Sequence, residues 1–175
     1  MELHHFCLNV FKSHGKKIAN IKEFDSDIML AEHGRWEIKI DNQVAVIWFA
    51  DAWNEEAIVT FCQEFKRVTL PLLGKQWAIM SIFEQWQLGT PDIEHHVTEL
   101  CEWFIANGCV KDSHVYTKSF LKQSQLERII PKTDLNAGYE RCVFTEPKQA
   151  INWLALNGFA ISNPQFIYEK FQQLQ

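Results

Sequence analysis

Trp36-Glu37-Ile38-Lys39-Ile40-Asp41-Asn42-Gln43-Val44-Ala45-Val46-Ile47-Trp48-Phe49 decides the fold class of this chain. Residues 36–40 alternate apolar and polar side chains, the period-two signature of a half-buried strand. Asp41-Asn42 is a turn pair. Residues 44–49 are all apolar, as in a strand covered on both faces. Together they read as an antiparallel hairpin whose second strand lies deeper. Ile28-Met29-Leu30-Ala31 is read as a further short strand ahead of it.

Beyond the hairpin, helical and strand patterns take turns. A helix is expected from Trp53-Asn54-Glu55-Glu56, with acids in its first turn where the helix dipole favours them. Ala57, Ile58, Phe61, Cys62, Phe65 and Val68 recur at three-and-four spacing along it. Pro71 and Gly74 close it, and Trp77–Ile82 reads as a buried strand. Thr90-Pro91-Asp92 carries the residues of a helix start, with Thr90 as the cap. Ile93, Val97, Leu100, Cys101, Phe104 and Ile105 form that helix's inner face, and Asn107-Gly108 supplies the stop. His114-Val115-Tyr116 is read as a strand, residues 120–130 as a helix and Arg141–Phe144 as the last strand. Helices from Pro147 and from Asn163-Pro164 end the chain.

Strand, strand, helix and three strand–helix units make an α/β fold. Right-handed crossovers turn that order into a mixed β-sheet with helices mainly on one face. The reading divides the chain into an N-terminal extension (1–27), one α/β domain (28–158) and a helical C-terminal segment (159–175).

Composition narrows the function. The net charge is −5, and the basic pairs Lys16-Lys17 and Lys66-Arg67 stand apart. Nucleic-acid binding draws most of its affinity from a basic field, so no nucleic-acid partner is expected. No apolar run approaches the ~18 residues of a membrane-spanning helix. The N-terminus does not read as a signal peptide, so a cytoplasmic location is expected. The five cysteines, Cys7, Cys62, Cys101, Cys109 and Cys142, form no C-x-x-C pair. They read as reduced core thiols, with no metal or cofactor expected.

The hairpin ending at Phe49, the Asn54-led helix, the strand Trp77–Ile82 and the closing Phe144-Thr145-Glu146-Pro147-Lys148-Gln149-Ala150-Ile151-Asn152-Trp153-Leu154 resemble the STAS or SpoIIAA-like domain family. The resemblance spans about residues 28–157. It implies a regulatory or binding module and no enzyme, of a kind that includes anti-anti-sigma factors and stand-alone proteins associated with apolar ligands or membranes. The phosphorylatable Asp-Ser motif of the anti-anti-sigma branch is not matched. Ser81 falls within a strand pattern with no preceding aspartate, and the neighbours of Thr90 differ from the motif.

Seven tryptophans is a heavy load for 175 residues. Trp53 and Trp86 follow strands near the carboxyl edge of the sheet, with Phe49 and Phe83 beside them in sequence. Ligands of open α/β sheets bind at that edge. Phe49, Trp53, Phe83 and Trp86 are therefore the expected contact patch, for an apolar small molecule or a protein partner, with peripheral membrane contact a further use. The competing reading is that these rings only cover loops. A structural rival is a homodimer assembled through Leu3–Phe11 or Phe166–Leu174. An enzymatic rival is a hydrolase using His95 and Glu99, one helical turn apart, or Glu84 at a strand end.

Overall fold

The computed structural model describes residues 31–133 and 138–172. Five strands, β1 (Arg35–Asp41), β2 (Val44–Trp53), β3 (Trp77–Gly89), β4 (Cys109–Val115) and β5 (Glu140–Phe144), form one sheet in chain order. β1 is antiparallel to β2, and every later pairing is parallel. The helices are α1 (Glu55–Val68), α2 (Ile93–Ala106), α3 (Phe120–Ile129), α4 (Pro147–Leu156) and α5 (Gln165–Gln172). The expected mixed α/β sheet is the architecture found.

The hairpin turns at Asn42-Gln43, one residue later than the sequence suggests, with Asn42 at φ 55. Asparagine tolerates that left-handed conformation better than most residues. All seven residues from Val44 to Ala50 are buried. Ala45, Ile47 and Phe49 meet the packing of α1–α3, while Val44, Val46 and Trp48 meet that of α4 and α5. Three successive crossovers, each moving one strand further along the sheet in the same direction, place α1, α2 and α3 on one face, as a common crossover hand requires. The two C-terminal helices then cover the other.

Local chemistry sets the boundaries. Asn54 caps α1 by accepting from the Ala57 N–H at 3.3 Å. Its amide also donates to the Ala31 carbonyl at 2.9 Å, so the preceding chain is tied to the cap. Ala31 itself forms no strand, and the rest of the strand expected at Ile28–Ala31 lies outside the described residues, as does Leu3–Phe11. Gly108 ends α2 at φ 94, where a Cβ would sit 2.5 Å from the Lys75 carbonyl oxygen. Only glycine fits there.

Three sequence expectations are corrected. β3 runs on to Gly89, because β2 also extends and pairs with it as far as Trp53 and Gly89. Thr90 is not the cap of α2: Thr90 and Pro91 belong to a turn, and the helix starts at Ile93. β4 starts at Cys109, directly after the α2 stop, and not at His114.

The C-terminal segment docks on its own sheet. The hairpin-end carboxylate of Asp41 accepts from the backbone N–H groups of Ser162 (2.9 Å) and Asn163 (2.8 Å). Asn42 donates to the Ala160 carbonyl at 2.9 Å. Phe159, Phe166 and Ile167 are buried against β2 and β3, and Lys170 pairs with Glu37 at 2.8 Å. Of the segment considered for dimerisation, Phe166 and Ile167 are thus already covered.

Ile167→Ala removes a fully buried side chain from this second core. It is expected to lower unfolding stability by about 2–4 kcal/mol. Urea denaturation measures this, and a loss below about 1 kcal/mol would show that α5 is not packed as described.

Candidate functional site

A cavity of about 70 Å³ lies between the carboxyl half of the parallel strands and α1–α3. Its wall is almost wholly apolar. Ile47 and Ile79 rise from the sheet, Phe61 from α1, Leu100 and Phe104 from α2, and Leu126 and Ile129 from α3. Phe49, Trp53, Phe83 and Trp86 line it as well.

The structure therefore gathers the four predicted contact residues, but not as an exposed edge. Phe49 and Phe83 stack with centroids 4.7 Å apart and planes at 7°. Trp86 meets Phe83 edge-on at 5.7 Å, and Trp53 meets Phe49 at 5.5 Å. Exposure is 8% for Phe49, 2% for Trp53, 6% for Phe83 and 4% for Trp86. The reason is the extra length of β2 and β3: Trp53 and Trp86 are ladder residues facing the helices, not loop residues beyond the strands. Trp53 donates its indole N–H to the Ala50 carbonyl at 2.9 Å, which meets the polar requirement of a buried indole.

The cavity has one polar region, formed by Ser81, Asp112 and His114. In β4, Trp77 pairs with Cys109 but Ala78 pairs with Lys111, so Val110 is an extra, bulged residue. The bulge shifts the alternation by one. Asp112 and His114, two apart, then both face the cavity. Asp112 Oδ2 accepts the Tyr139 hydroxyl at 2.8 Å and lies 3.0 Å from His114 Nε2. Phe83 packs against the imidazole at 5.2 Å.

Asp112, His114 and Tyr139 are each at most 2% exposed. Asp112 Oδ1 and His114 Nδ1 have no hydrogen-bond partner among the described residues. Burial, and then the Asp112 charge, push the Tyr139 hydroxyl well above its ordinary range. The same two causes raise the thiols of Cys101 and Cys109.

The sequence pattern places His114 at the start of a short strand and singles out neither Asp112 nor Tyr139. Asp112-x-His114 is a same-face pair once both residues lie in one strand, and that was the available signal. Starting β4 at His114 hid it.

The other candidates fall elsewhere. The His95 and His96 rings lie 3.8 Å apart with planes tilted by 38°, and Glu55 of α1 joins them with ligand atoms within 4.8 Å, towards the surface. Glu99 is not in that group; it lines a shallow depression with Cys62, Lys66 and His96. Glu84 is committed to Thr117, accepting from its N–H at 2.6 Å and its hydroxyl at 2.9 Å. Ser81 is a buried β3 residue, and Thr90 is exposed in the turn before α2.

No family model matches the chain, and no curated protein matches it in sequence. The crystal structure of an uncharacterised DUF3478-family protein from Shewanella loihica PV-4, described as having a SpoIIAA-like fold, superposes with a TM-score of 0.53. The match covers 71% of this chain and 96% of that one. The fold is SpoIIAA-like. At 7% identity the likeness is one of backbone architecture alone. Within this SpoIIAA-like sheet the cavity lies towards the carboxyl ends of β2, β3 and β4, the usual ligand edge of a parallel α/β layer. Among the described residues no helix is long and apolar enough to cross a membrane.

Two outcomes follow from the polar region and the thiols. Tyr139→Phe strips a hydrogen bond from a buried carboxylate and is expected to cost about 1–3 kcal/mol in urea denaturation. Burial pushes the Cys62 thiol from its ordinary 9 up to about 11. In the unfolded chain that thiol ionises near 9, while the fold holds it protonated to about 11. Its contribution is thus complete below pH 9 and is lost as pH rises through that window, and Cys101, Cys109 and Tyr139 act in the same direction. Urea midpoints measured across the window should fall as pH rises; flat midpoints would contradict the burial of these groups.

Proposed function

We propose that this protein is a non-enzymatic binding module that takes a small, mainly apolar molecule into the cavity between its sheet and helices α1–α3. The observation that carries this reading is an aromatic-walled space of about 70 Å³ in an otherwise close-packed core. Protein interiors leave few voids larger than a water molecule. An apolar cavity of about 150 Å³ in another protein holds benzene, so this one suits roughly half that bulk, and a larger guest requires a ring to swing aside. Phe83 and Trp86 are placed for such a movement, since both line the cavity near the ends of the parallel strands.

The burial of all four rings favours a small molecule over a protein partner, because a protein surface cannot reach them without rearrangement. A cytoplasmic setting belongs to the same reading. The free thiols of Cys62, Cys101, Cys109 and Cys142 support it, since disulfides are rare where thiols are kept reduced.

Xenon and cyclopropane are suitable apolar probes. Each should shift the methyl resonances of Ile47, Ile79 and Leu126 saturably and raise the thermal midpoint by mass action. Leu126→Phe, which fills the space, should abolish the shifts while the protein stays folded. Absence of any saturable shift in the wild-type protein would reject the cavity as a binding site.

A further inference from the structure

Glu55, His95 and His96 come from two helices and meet at one point. Glu55 opens α1, and the two histidines sit near the start of α2. One candidate donor atom from each lies within 4.8 Å of the other two. Among the described residues, no other trio of histidine, cysteine or carboxylate side chains has this spacing.

A helix does not produce this grouping by itself. Successive residues of an α-helix point about 100° apart, so neighbouring side chains ordinarily diverge. The His95 and His96 rings instead have centroids 3.8 Å apart, on the side where Glu55 lies. His96 Nε2 is 3.3 Å from Glu55 Oε1. In a tetrahedral zinc site, bonds of about 2.0–2.1 Å set neighbouring donor atoms about 3.3 Å apart. One edge of such a tetrahedron therefore already has its proper length. His95 is exposed, so a rotation of its side chain can close the other two.

The backbone beneath the three donors is anchored. Asn54, the buried cap of α1, directly precedes Glu55, and the buried Ile93 holds the start of α2. The Cys62 thiol of α1 donates to the His96 carbonyl at 3.9 Å, which ties the two helices beside the group. Phe61 and Phe65 of α1 share one core with Leu100 and Phe104 of α2. The donors thus project from two frames of set spacing, and little ordering is needed on binding.

Imidazole and carboxylate together suit zinc and its transition-row neighbours, whereas magnesium and calcium take oxygen ligands. We infer that Glu55, His95 and His96 form a zinc site that clamps the first turn of α1 to that of α2. Three protein donors leave the fourth position to water. The ion takes over the Glu55–His96 contact and bridges two of the helices that wall the cavity.

The test titrates the intact protein with Zn²⁺, and with Mg²⁺ as control, while NMR follows the ¹⁵N resonances of the histidine rings. The chain also carries His4, His5 and His14, so the shifts are read residue by residue. Zn²⁺ should move His95 and His96 together and saturably, and Mg²⁺ should move neither. Glu55→Gln and His95→Ala should each weaken that response about tenfold or more, the loss that even partners outside a coordination shell produce. Zinc should also raise the thermal midpoint of the wild type more than that of either variant. Midpoints without zinc, close to wild type, separate lost binding from lost folding; should one variant not fold, the other decides. If Zn²⁺ moves His96 without His95, or Glu55→Gln binds as tightly as wild type, the three residues are an ion pair beside a solvated ring and the inference fails. Equal shifts with Mg²⁺ overturn it as well, since the group then only attracts cations.

Discussion

The structure depends on one constraint: over their first seven residues β2 and β3 have no wet face. From Val44 to Ala50 and from Trp77 to Phe83 every side chain is buried, so apolar surface must be supplied on both sides of the sheet at once. Burial of a large apolar side chain contributes about 1.5–3 kcal/mol, and these two strands hold much of the core. Chain-order crossovers provide α1–α3 on one face only. The opposite face stays open until the chain turns back after β5 and lays α4 and α5 across it. The C-terminal segment is consequently a structural layer of the domain, pinned at the hairpin by Asp41 and Asn42.

The same constraint explains where the cavity forms. On the α1–α3 face the strands end in bulky rings, while the positions below them carry Ser81, Asp112 and His114. Rings and short polar groups do not tile a space at the density that aliphatic side chains reach. Lys122 and Gln125 of α3 hold the roof. The Lys122 ammonium donates to the Phe83 and Glu84 carbonyls at 2.8 and 3.0 Å. The Gln125 side-chain amide pairs with both backbone groups of Gly89. These contacts fix α3 to the long end of β3, so the helix does not collapse onto the floor.

A buried aspartate is expensive to desolvate, and its cost is met only by bonds. Tyr139 and His114 satisfy one oxygen of Asp112 and leave the other. Burial, and then the neighbouring Asp112, raise the thiols of Cys101 and Cys109 beneath the aromatic rings. A core selected only for stability would carry aliphatic residues at these positions. That departure from the otherwise consistent apolar pattern sets the region apart from the rest of the core.

Periodicity alone determined the element order, because period two and period 3.6 are written directly into the spacing of apolar residues. Val44–Phe49 announced a doubly covered strand, and Asn54 and Gly108 announced a helix start and stop through local backbone chemistry. The four aromatic residues were likewise recognisable as neighbours from their places at strand ends. Whether those rings faced water or the interior was decided by the length of the β2–β3 ladder, which is a property of the pair. The Asp112–His114–Tyr139 group was decided by a bulge at Val110 and by a tyrosine 25 residues beyond His114. A bulge changes the face of every later residue in its strand, and it arises from packing against the neighbouring strand. Local pattern therefore specified which elements form, and contact between elements specified which side chains meet.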